Sequence, residues 1–339
     1  MYIHYINASE TIQKEVTDFI TEWNNSSDFI TTKTSGSTGK PKEIKIPKKK
    51  MQLSAQMTGK FLQLSAKQNA LLCLSPNTIA GKMMIVRAME FDLNLHITDP
   101  ASNPLDCVNF TIDFIAIVPL QLSTILKNSI DKLRSIKNCI VGGGTISYEQ
   151  NNQLIENDLT VFQTYGMTET LSHVALRKIG KQTEEFYTAL EGNHFSINTS
   201  NQLIIHTPLL DFEPLVTNDI VELMNTNQFC WKGRTDFVIN SGGIKLHPEE
   251  MELKLSKLIA IPFFISSLKD ELLGEKVILC IESKEKIDLS KIDFIQILSK
   301  YEIPKEIYYF EKFEYTESLK INKLKTIAKQ LQNAIQQVL

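Results

Sequence analysis

The stretch LTVFQTYGMTET, residues 159–170, contains the clearest indication of the fold. It begins as a short apolar run and ends in small and hydroxyl residues. Three earlier runs have the same apolar character: ALLCLS (70–75), DFIAIVP (113–119) and KNCIVGG (137–143). Apolar runs that are spaced by helical patterns and hydrophobic on both faces predict strands of a covered, largely parallel sheet. The fold class is therefore α/β.

A different pattern begins near Phe195, where short strand-like pieces follow one another closely: QLIIHT (202–207), DIVEL (219–223) and FCWKG (229–233). They predict an antiparallel region. After Arg234 a mixed pattern follows, with a helix over 248–258, a strand over 276–282 and a last helix from Lys323. That helix has an apolar face made of Leu324, Ile327, Leu331, Ile335 and Val338, which is typical of packing. We place a domain boundary at Asp236, between residues 1–235 and residues 236–339.

Composition excludes several classes of function. The chain has 339 residues, 42% of them hydrophobic and 22% charged, and its net charge of −3 gives no electrostatic basis for nucleic-acid binding. The five cysteines are scattered without a C-x-x-C pair, which argues for reduced thiols rather than disulfides or zinc. No signal peptide is recognisable and no apolar stretch reaches about 18 residues. We expect a cytoplasmic protein without membrane insertion; the sequence is silent on oligomeric state.

The segment TSGSTGKPK near the start of the chain predicts a polyphosphate site, because small residues let backbone N–H groups approach an anion. The candidate ligands are Thr34, Ser35, Gly36, Ser37, Thr38, Gly39, Lys40 and Lys42. The spacing does not fit the Walker A pattern G-x-x-x-x-G-K-[ST], so a P-loop NTPase is excluded. A plain surface turn is the alternative explanation.

Three further motifs follow in order: GGGT (142–145), QTYGMTET (163–170) and GRTDFVINSGGIKLHPEEME (233–252). Together with TSGSTGKPK they resemble the adenylate-forming superfamily of acyl-CoA synthetases, peptide-synthetase adenylation domains and luciferases. The resemblance covers residues 32–323. It implies a large domain with a mainly parallel sheet and an antiparallel region, followed by a small mobile α+β lid. It also implies that a carboxylate reacts with ATP to give an acyl-adenylate, which a thiol such as coenzyme A converts to a thioester.

Several nucleotide-binding roles are implied by the same resemblance. The phosphate loop would hold the β- and γ-phosphates, Tyr165 would lie on the adenine, and Glu169 would bind Mg²⁺. Thr168 would donate to the α-phosphate, while Asp219 and Arg234 would bind the ribose. The remaining residues of the AMP site would be Gly142, Gly143, Gly144, Thr164 and Gly166.

The lid roles are likewise implied by matching position. Asp236 corresponds to the hinge, and Gly242 and Gly243 would line the channel for the pantetheine arm of coenzyme A. The catalytic lysine matches Lys320 in SLKINK (318–323), although Leu319 stands where the family has glycine and Lys323 and Lys325 lie nearby.

The substrate prediction depends on Arg87, which stands in an otherwise apolar stretch six residues after Gly81. In o-succinylbenzoate-CoA ligases of menaquinone biosynthesis, a matching arginine pairs with the carboxylate that is not activated; a structural ion pair is the alternative. Together with TYGMTETLSH, this favours such a ligase with an N-terminally shortened chain. Another aryl- or acyl-CoA ligase, an enzyme that loads a carrier protein, and an inactive nucleotide-binding regulatory protein remain open.

Overall fold

The structure, a computed structural model, describes residues 1–33, 43–259, 261–290, 292–315 and 321–338. Among them the strands are β1 (Tyr2–Asn7), β2 (Phe29–Lys33), β3 (Glu43–Pro47), β4 (Asn69–Leu72), β5 (Asn94–Thr98), β6 (Phe114–Ile117), β7 (Asn138–Val141), β8 (Thr160–Gly166), β9 (His173–Gly180), β10 (Tyr187–Ala189), β11 (His194–Ile197), β12 (Gln202–His206), β13 (Leu215–Asn225), β14 (Gln228–Arg234), β15 (Ile239–Ser241), β16 (Ile244–Leu246), β17 (Phe263–Asp270), β18 (Gly274–Glu282), β19 (Glu306–Phe310) and β20 (Ile335–Val338). The α-helices in the same residues are α1 (Glu10–Asn24), α2 (Lys48–Leu62), α3 (Ile79–Glu90), α4 (Pro119–Asn128), α5 (Ile130–Arg134), α6 (Tyr148–Glu156), α7 (Pro248–Leu255), α8 (Phe294–Ile297) and α9 (Lys323–Gln330).

The largest sheet has the strand order β1-β5-β4-β6-β7-β8-β9-β10-β14-β13-β12-β11. Within this sheet, adjacent strands from β1 to β8 pair in parallel. Strand β9 pairs antiparallel with β8, and β10 pairs antiparallel with β9 and β14. The sequence prediction of a mainly parallel sheet followed by an antiparallel region is confirmed.

Both faces of the parallel strands are buried, as their continuous apolar runs require. In β6, Phe114 and Ala116 pack in one core cluster with α1, α2 and α3, while Ile115 and Ile117 pack in another with α4, α5 and α6. Alternate residues of a strand point to opposite faces, so a strand covered on two sides needs apolar residues at every position.

Helix α3 is almost wholly buried beneath this sheet. The Thr78 hydroxyl caps its first turn by accepting a hydrogen bond from the Gly81 N–H at 3.1 Å. Arg87 lies in its last turn, where the helix dipole favours a cation, and is buried with its neighbours. The helix therefore carries a charged side chain, Arg87, into the apolar core.

The chain forms two compact units. The first comprises Met1–Ser196, Ile204–Leu215 and Leu223–Cys230, and the second comprises Ile197–Leu203, Val216–Glu222 and Trp231–Leu339. The second unit has its own sheet, ordered β16-β15-β18-β19-β20, with β17 also paired to β18, and a core in which α7 packs on these strands. This is the α+β architecture expected for the C-terminal part.

The prediction of one long C-terminal helix is wrong. Helix α9 ends at Gln330, and residues 335–338 form β20, which pairs antiparallel with β19. Only Ile327 and Leu331 of the predicted apolar face pack against the core, and Val338 is 73% exposed. The unpaired edge of β19 offers hydrogen bonds that a helix would leave unused, and the β-branched residues of this segment suit a strand.

Candidate functional site

A cavity of about 240 Å³ lies in the first unit at the carboxyl ends of β6, β7 and β8. Ligands of parallel α/β sheets bind at this edge. Five residues selected from the sequence line it: Arg87, Gly142, Gly143, Thr164 and Gly166. Apolar side chains of α3 and β6 form much of the remaining wall, so the cavity suits an organic group with few charges.

Tyr165 and Gly144 are not among the described residues that line this cavity. The alternation along β8 turns Tyr165 away from Thr164 and Gly166, and its ring packs edge-on against Phe229 at 4.9 Å between centroids. The Gly144 carbonyl accepts a hydrogen bond from Gln163 Nε2 at 3.5 Å.

A tight turn after β8 presents Ser172 and His173 to the cavity. Leu171 has a φ of +68°, and the Ser172 N–H donates to the Thr170 carbonyl at 2.8 Å, which together mark a γ-turn. Gly166 packs so closely on this turn that an added Cβ would lie 2.3 Å from the Ser172 carbonyl oxygen. A glycine is therefore required here, and a strained turn fixes two polar residues beside the site.

Arg87 is 2% exposed and has no carboxylate partner among the residues that the structure describes. Its Nη2 donates to Ser172 Oγ at 3.0 Å, and its buried Nε has no hydrogen-bond partner there. Burial lowers the pKa of Arg87 to about 10, so the guanidinium stays charged at neutral pH. The alternative of a structural ion pair finds no support in these contacts, and the guanidinium is open to an anionic ligand.

His173 is 7% exposed and lines the cavity beside Ser172. Its Nδ1 is 3.3 Å from Ser172 Oγ and its Nε2 is 3.0 Å from Thr58 Oγ1. Burial is the main reason that the pKa of His173 lies well below 6.5, and the charge of Arg87 lowers it further. The imidazole is therefore neutral. The sequence analysis assigned no role to Thr58, Ser172 or His173, although Ser172 and His173 are the last two residues of the quoted stretch TYGMTETLSH.

Glu169 is exposed in a 3₁₀ turn, Thr168–Thr170, and the side chain of Thr168 lies outside the described part of the chain. Within that part, no three His, Cys, Asp or Glu residues are grouped as a metal site. The residues fit Mg²⁺, which commonly takes one or two carboxylates and completes its shell with water and phosphate oxygens.

A polar cluster in the second unit contains three of the predicted residues. Asp219 is 6% exposed and accepts a hydrogen bond from Trp231 Nε1 at 3.1 Å. Arg234 Nη1 lies 3.9 Å from Asp219 Oδ1, and Arg234 Nη2 lies 2.9 Å from Asp236 Oδ2. The sequence analysis did not anticipate Trp231, whose indole orients the buried carboxylate.

Of the three candidate lid lysines, Lys320 lies outside the described residues. The side chain of Lys323 is 14% exposed, and its Nζ lies 2.6 Å from Glu252 Oε1. Lys325 Nζ lies 3.3 Å from Glu314 Oε2. Both neighbouring lysines are thus engaged by carboxylates.

Gly242 and Gly243 form the two-residue loop of the hairpin between β15 and β16. Both have positive φ, +59° and +82°, as hairpin loops of this length commonly require. The turn geometry alone accounts for glycine at both positions.

The segment TSGSTGKPK also lies outside the described residues; it stands in the sequence between β2 and β3, which pair antiparallel. Lys82, on α3, is 7% exposed and donates to the Thr31 carbonyl of β2 at 3.0 Å. Burial lowers the pKa of Lys82, and the charge of Glu22 offsets part of this shift. This lysine links β2, the strand before TSGSTGKPK, to the helix that carries Arg87.

Comparison with known proteins identifies relatives along most of the chain. A family model for AMP-binding enzymes matches residues 10–191. A 2-succinylbenzoate–CoA ligase from Listeria monocytogenes is 25% identical over 95% of this chain and 75% of its own length. No α-helix in the described residues has the length and apolarity to cross a membrane.

Two solved structures extend the comparison. An acyl-CoA synthetase (AMP-forming)/AMP-acid ligase II-like protein from Dyadobacter fermentans is 35% identical, covers 95% of both chains and superposes with a TM-score of 0.65. An o-succinylbenzoate coenzyme A synthetase from Bacillus subtilis, solved with ATP and magnesium, shares the fold at 19% identity, with a TM-score of 0.71 over 87% of this chain and 69% of its own. The chain belongs to the AMP-binding enzyme family.

Proposed function

We propose that this protein is an ATP-dependent carboxylate–CoA ligase whose acid substrate carries a second carboxylate, and that this substrate is o-succinylbenzoate. The relatives that are 2-succinylbenzoate–CoA ligases support this assignment. The single observation that carries it is Arg87, a buried guanidinium without a carboxylate partner among the described residues, in the wall of a largely apolar cavity.

An unpaired buried charge destabilises the folded protein unless a ligand pairs with it. A dicarboxylate would satisfy this requirement by placing one carboxylate against Arg87 and leaving the other free to react. Arginine suits the task because its planar fork can meet a carboxylate through two hydrogen bonds. The aromatic ring of the substrate would occupy the apolar part of the cavity, away from water.

The reaction proposed has two balanced steps. The free carboxylate attacks the α-phosphorus of ATP, forming the acyl-adenylate and releasing pyrophosphate; the coenzyme A thiol then attacks the acyl carbon and releases AMP. Two unit charges about 4 Å apart repel by about 4 kcal/mol at an effective dielectric of 20, so cations near the phosphates are needed. We assign this role to Lys320 and to residues 34–42.

The nucleotide would be held by groups that the resemblance selects. Asp219 and Arg234 would bind the ribose, and Gly142, Gly143 and Thr164 would lie along the base and its sugar. Mg²⁺, held by Glu169, would neutralise charge on the phosphate oxygens. Thr168 would donate to the α-phosphate.

The C-terminal residues 236–339 would act as a lid that turns at Asp236 between the two steps. The engagement of Lys323 and Lys325 by Glu252 and Glu314 supports Lys320 as the lysine that meets the substrate. We place the protein in the cytoplasm, where its five cysteines would stay reduced, and expect small molecules rather than nucleic acid as its partners.

The experiment is a thioester assay with ATP, Mg²⁺, coenzyme A and a panel of acids: o-succinylbenzoate, benzoate, a fatty acid and malonate. We expect o-succinylbenzoyl-CoA as the favoured product. Preference for a monocarboxylate would overturn the substrate, and acylation of a phosphopantetheinyl carrier in place of coenzyme A would overturn the acceptor. Absence of acid-dependent ATP–pyrophosphate exchange with every acid would indicate an inactive nucleotide-binding protein.

A further inference from the structure

Four polar groups extend from Arg87 into the protein as one hydrogen-bonded chain. Arg87 Nη2 contacts Ser172 Oγ at 3.0 Å, and Ser172 Oγ contacts His173 Nδ1 at 3.3 Å. His173 Nε2 contacts Thr58 Oγ1 at 3.0 Å, and Thr58 Oγ1 donates to the Ser54 carbonyl at 3.2 Å. Thr58 is fully buried on α2, a different helix that packs against α3, which carries Arg87.

The chemistry of the groups allows one fully satisfied arrangement of hydrogens. The Ser54 carbonyl can only accept, so the Thr58 hydroxyl donates to it and must accept from His173 Nε2–H. In a neutral imidazole the other nitrogen is then an acceptor, and the Ser172 hydroxyl donates to it. The Ser172 oxygen is left with lone pairs only, which accept from Arg87.

This arrangement has a consequence for the cavity. Ser172 offers no hydrogen to a ligand, and one hydrogen of Arg87 is fixed against it, so the guanidinium is held in one orientation before any ligand arrives. Its Nε, which has no partner within the described residues, is left as a donor for the ligand. A cation that is oriented in advance loses less conformational entropy on binding.

We infer that Thr58 and His173 are positioning residues, which set the direction of the Ser172 hydroxyl and through it hold Arg87 ready for the second carboxylate of the substrate. The inference rests on the proposed function. Neither residue need touch the carboxylate that Arg87 binds, and their contribution is to the affinity for a dicarboxylate rather than to the chemical steps.

The test compares Thr58→Val with Thr58→Ser. Valine keeps the shape and removes the hydroxyl, so His173 loses its acceptor. We expect the KM for o-succinylbenzoate to rise about 5- to 10-fold, with kcat and the KM for ATP changed less than about twofold. The serine variant restores the hydroxyl and is expected to restore the KM. Thr124→Val, which removes an exposed hydroxyl bonded to a carbonyl four residues earlier, is the control.

A spectroscopic measurement tests the same point without substrate. Long-range ¹H–¹⁵N spectra of protein labelled with [¹⁵N]histidine distinguish the two neutral tautomers. We expect the Nε2–H form for His173 in the wild type and a shift toward the Nδ1–H form in Thr58→Val. An Nδ1–H tautomer in the wild type would overturn the inference.

The kinetic outcomes separate this inference from the proposed function. If the wild type makes no o-succinylbenzoyl-CoA, the proposed function fails, and the inference that rests on it fails too. If the wild type makes it, and Thr58→Val folds normally with an unchanged KM, the positioning role alone is overturned. An equal rise in KM for benzoate and o-succinylbenzoate would also overturn it, because that result indicates a general distortion of the cavity.

Discussion

Arg87 is a side chain whose placement favours function over stability. It is buried, charged and without a carboxylate partner in the described part of the structure, and such a group destabilises the protein unless a ligand pairs with it. We expect Arg87→Leu to raise the free energy of unfolding by about 1–3 kcal/mol in the absence of substrate. Urea unfolding of the two proteins measures this difference, and a less stable variant would contradict the account of Arg87 as unpaired.

His173 gives a second prediction, for the pH dependence of stability. Its pKa is held below 6.5 in the folded protein by burial and by Arg87, while Thr58 and Ser172, which also face it, are uncharged. The unfolded chain therefore binds a proton at His173 more readily, so stability is full above about pH 6.5 and falls as the pH is lowered below it.

The measurement is the urea midpoint of wild type and His173→Gln between pH 8 and pH 5. We expect the variant to lose stability less steeply in this range. The urea midpoint of the variant should still fall somewhat as the pH is lowered, because burial also lowers the pKa values of His96 and His206. An equally steep decline in the variant would show that the pKa of His173 is not lowered in the folded protein.

At the scale of elements, the sequence predicted what local patterns decide. The runs at β4, β6, β7 and β8 are apolar at nearly every position because helices cover both faces, so the strands were recognisable without tertiary information. The C-terminal segment was mispredicted because its period also fits a helix, and the edge of β19 that it pairs with is distant in sequence. The two β-branched residues of this four-residue strand are too short a local pattern to predict such a pairing.

Lys320, three residues before α9 begins, is the subject of the third prediction. We expect Lys320→Ala to reduce adenylate formation by about 10²-fold or more while largely sparing thioester formation from a supplied acyl-adenylate, because the lid presents this lysine in one orientation only. ATP–pyrophosphate exchange and single-turnover thioester formation measure the two steps. Lys325→Ala, whose ammonium pairs with Glu314 at the surface, is the matched control. Equal loss in both steps would argue against the assignment.

At the scale of the whole molecule, the motifs predicted the family, but the structure was needed to describe the acid site. Arg87, Gly142, Thr164 and Gly166 were selected from the sequence, and the ends of three parallel strands and α3 bring them together around one cavity. Thr58 lies on a different helix, 115 residues before the histidine it contacts, so no motif could connect them. The hydrogen bonds that orient Arg87 depend on packing rather than on any sequence pattern.

The most direct measurement of the central claim is a competition between equimolar o-succinylbenzoate and benzoate in one reaction, with the two CoA thioesters quantified for wild type and Arg87→Leu. The account predicts that the wild type favours o-succinylbenzoate and that the product ratio falls about 10²-fold or more in the variant, as expected for breaking a buried charge pair. Arg134→Leu, which removes an exposed arginine paired with Asp131, should leave the ratio unchanged. An unchanged ratio in a folded Arg87→Leu protein would contradict the claim that Arg87 selects a dicarboxylate.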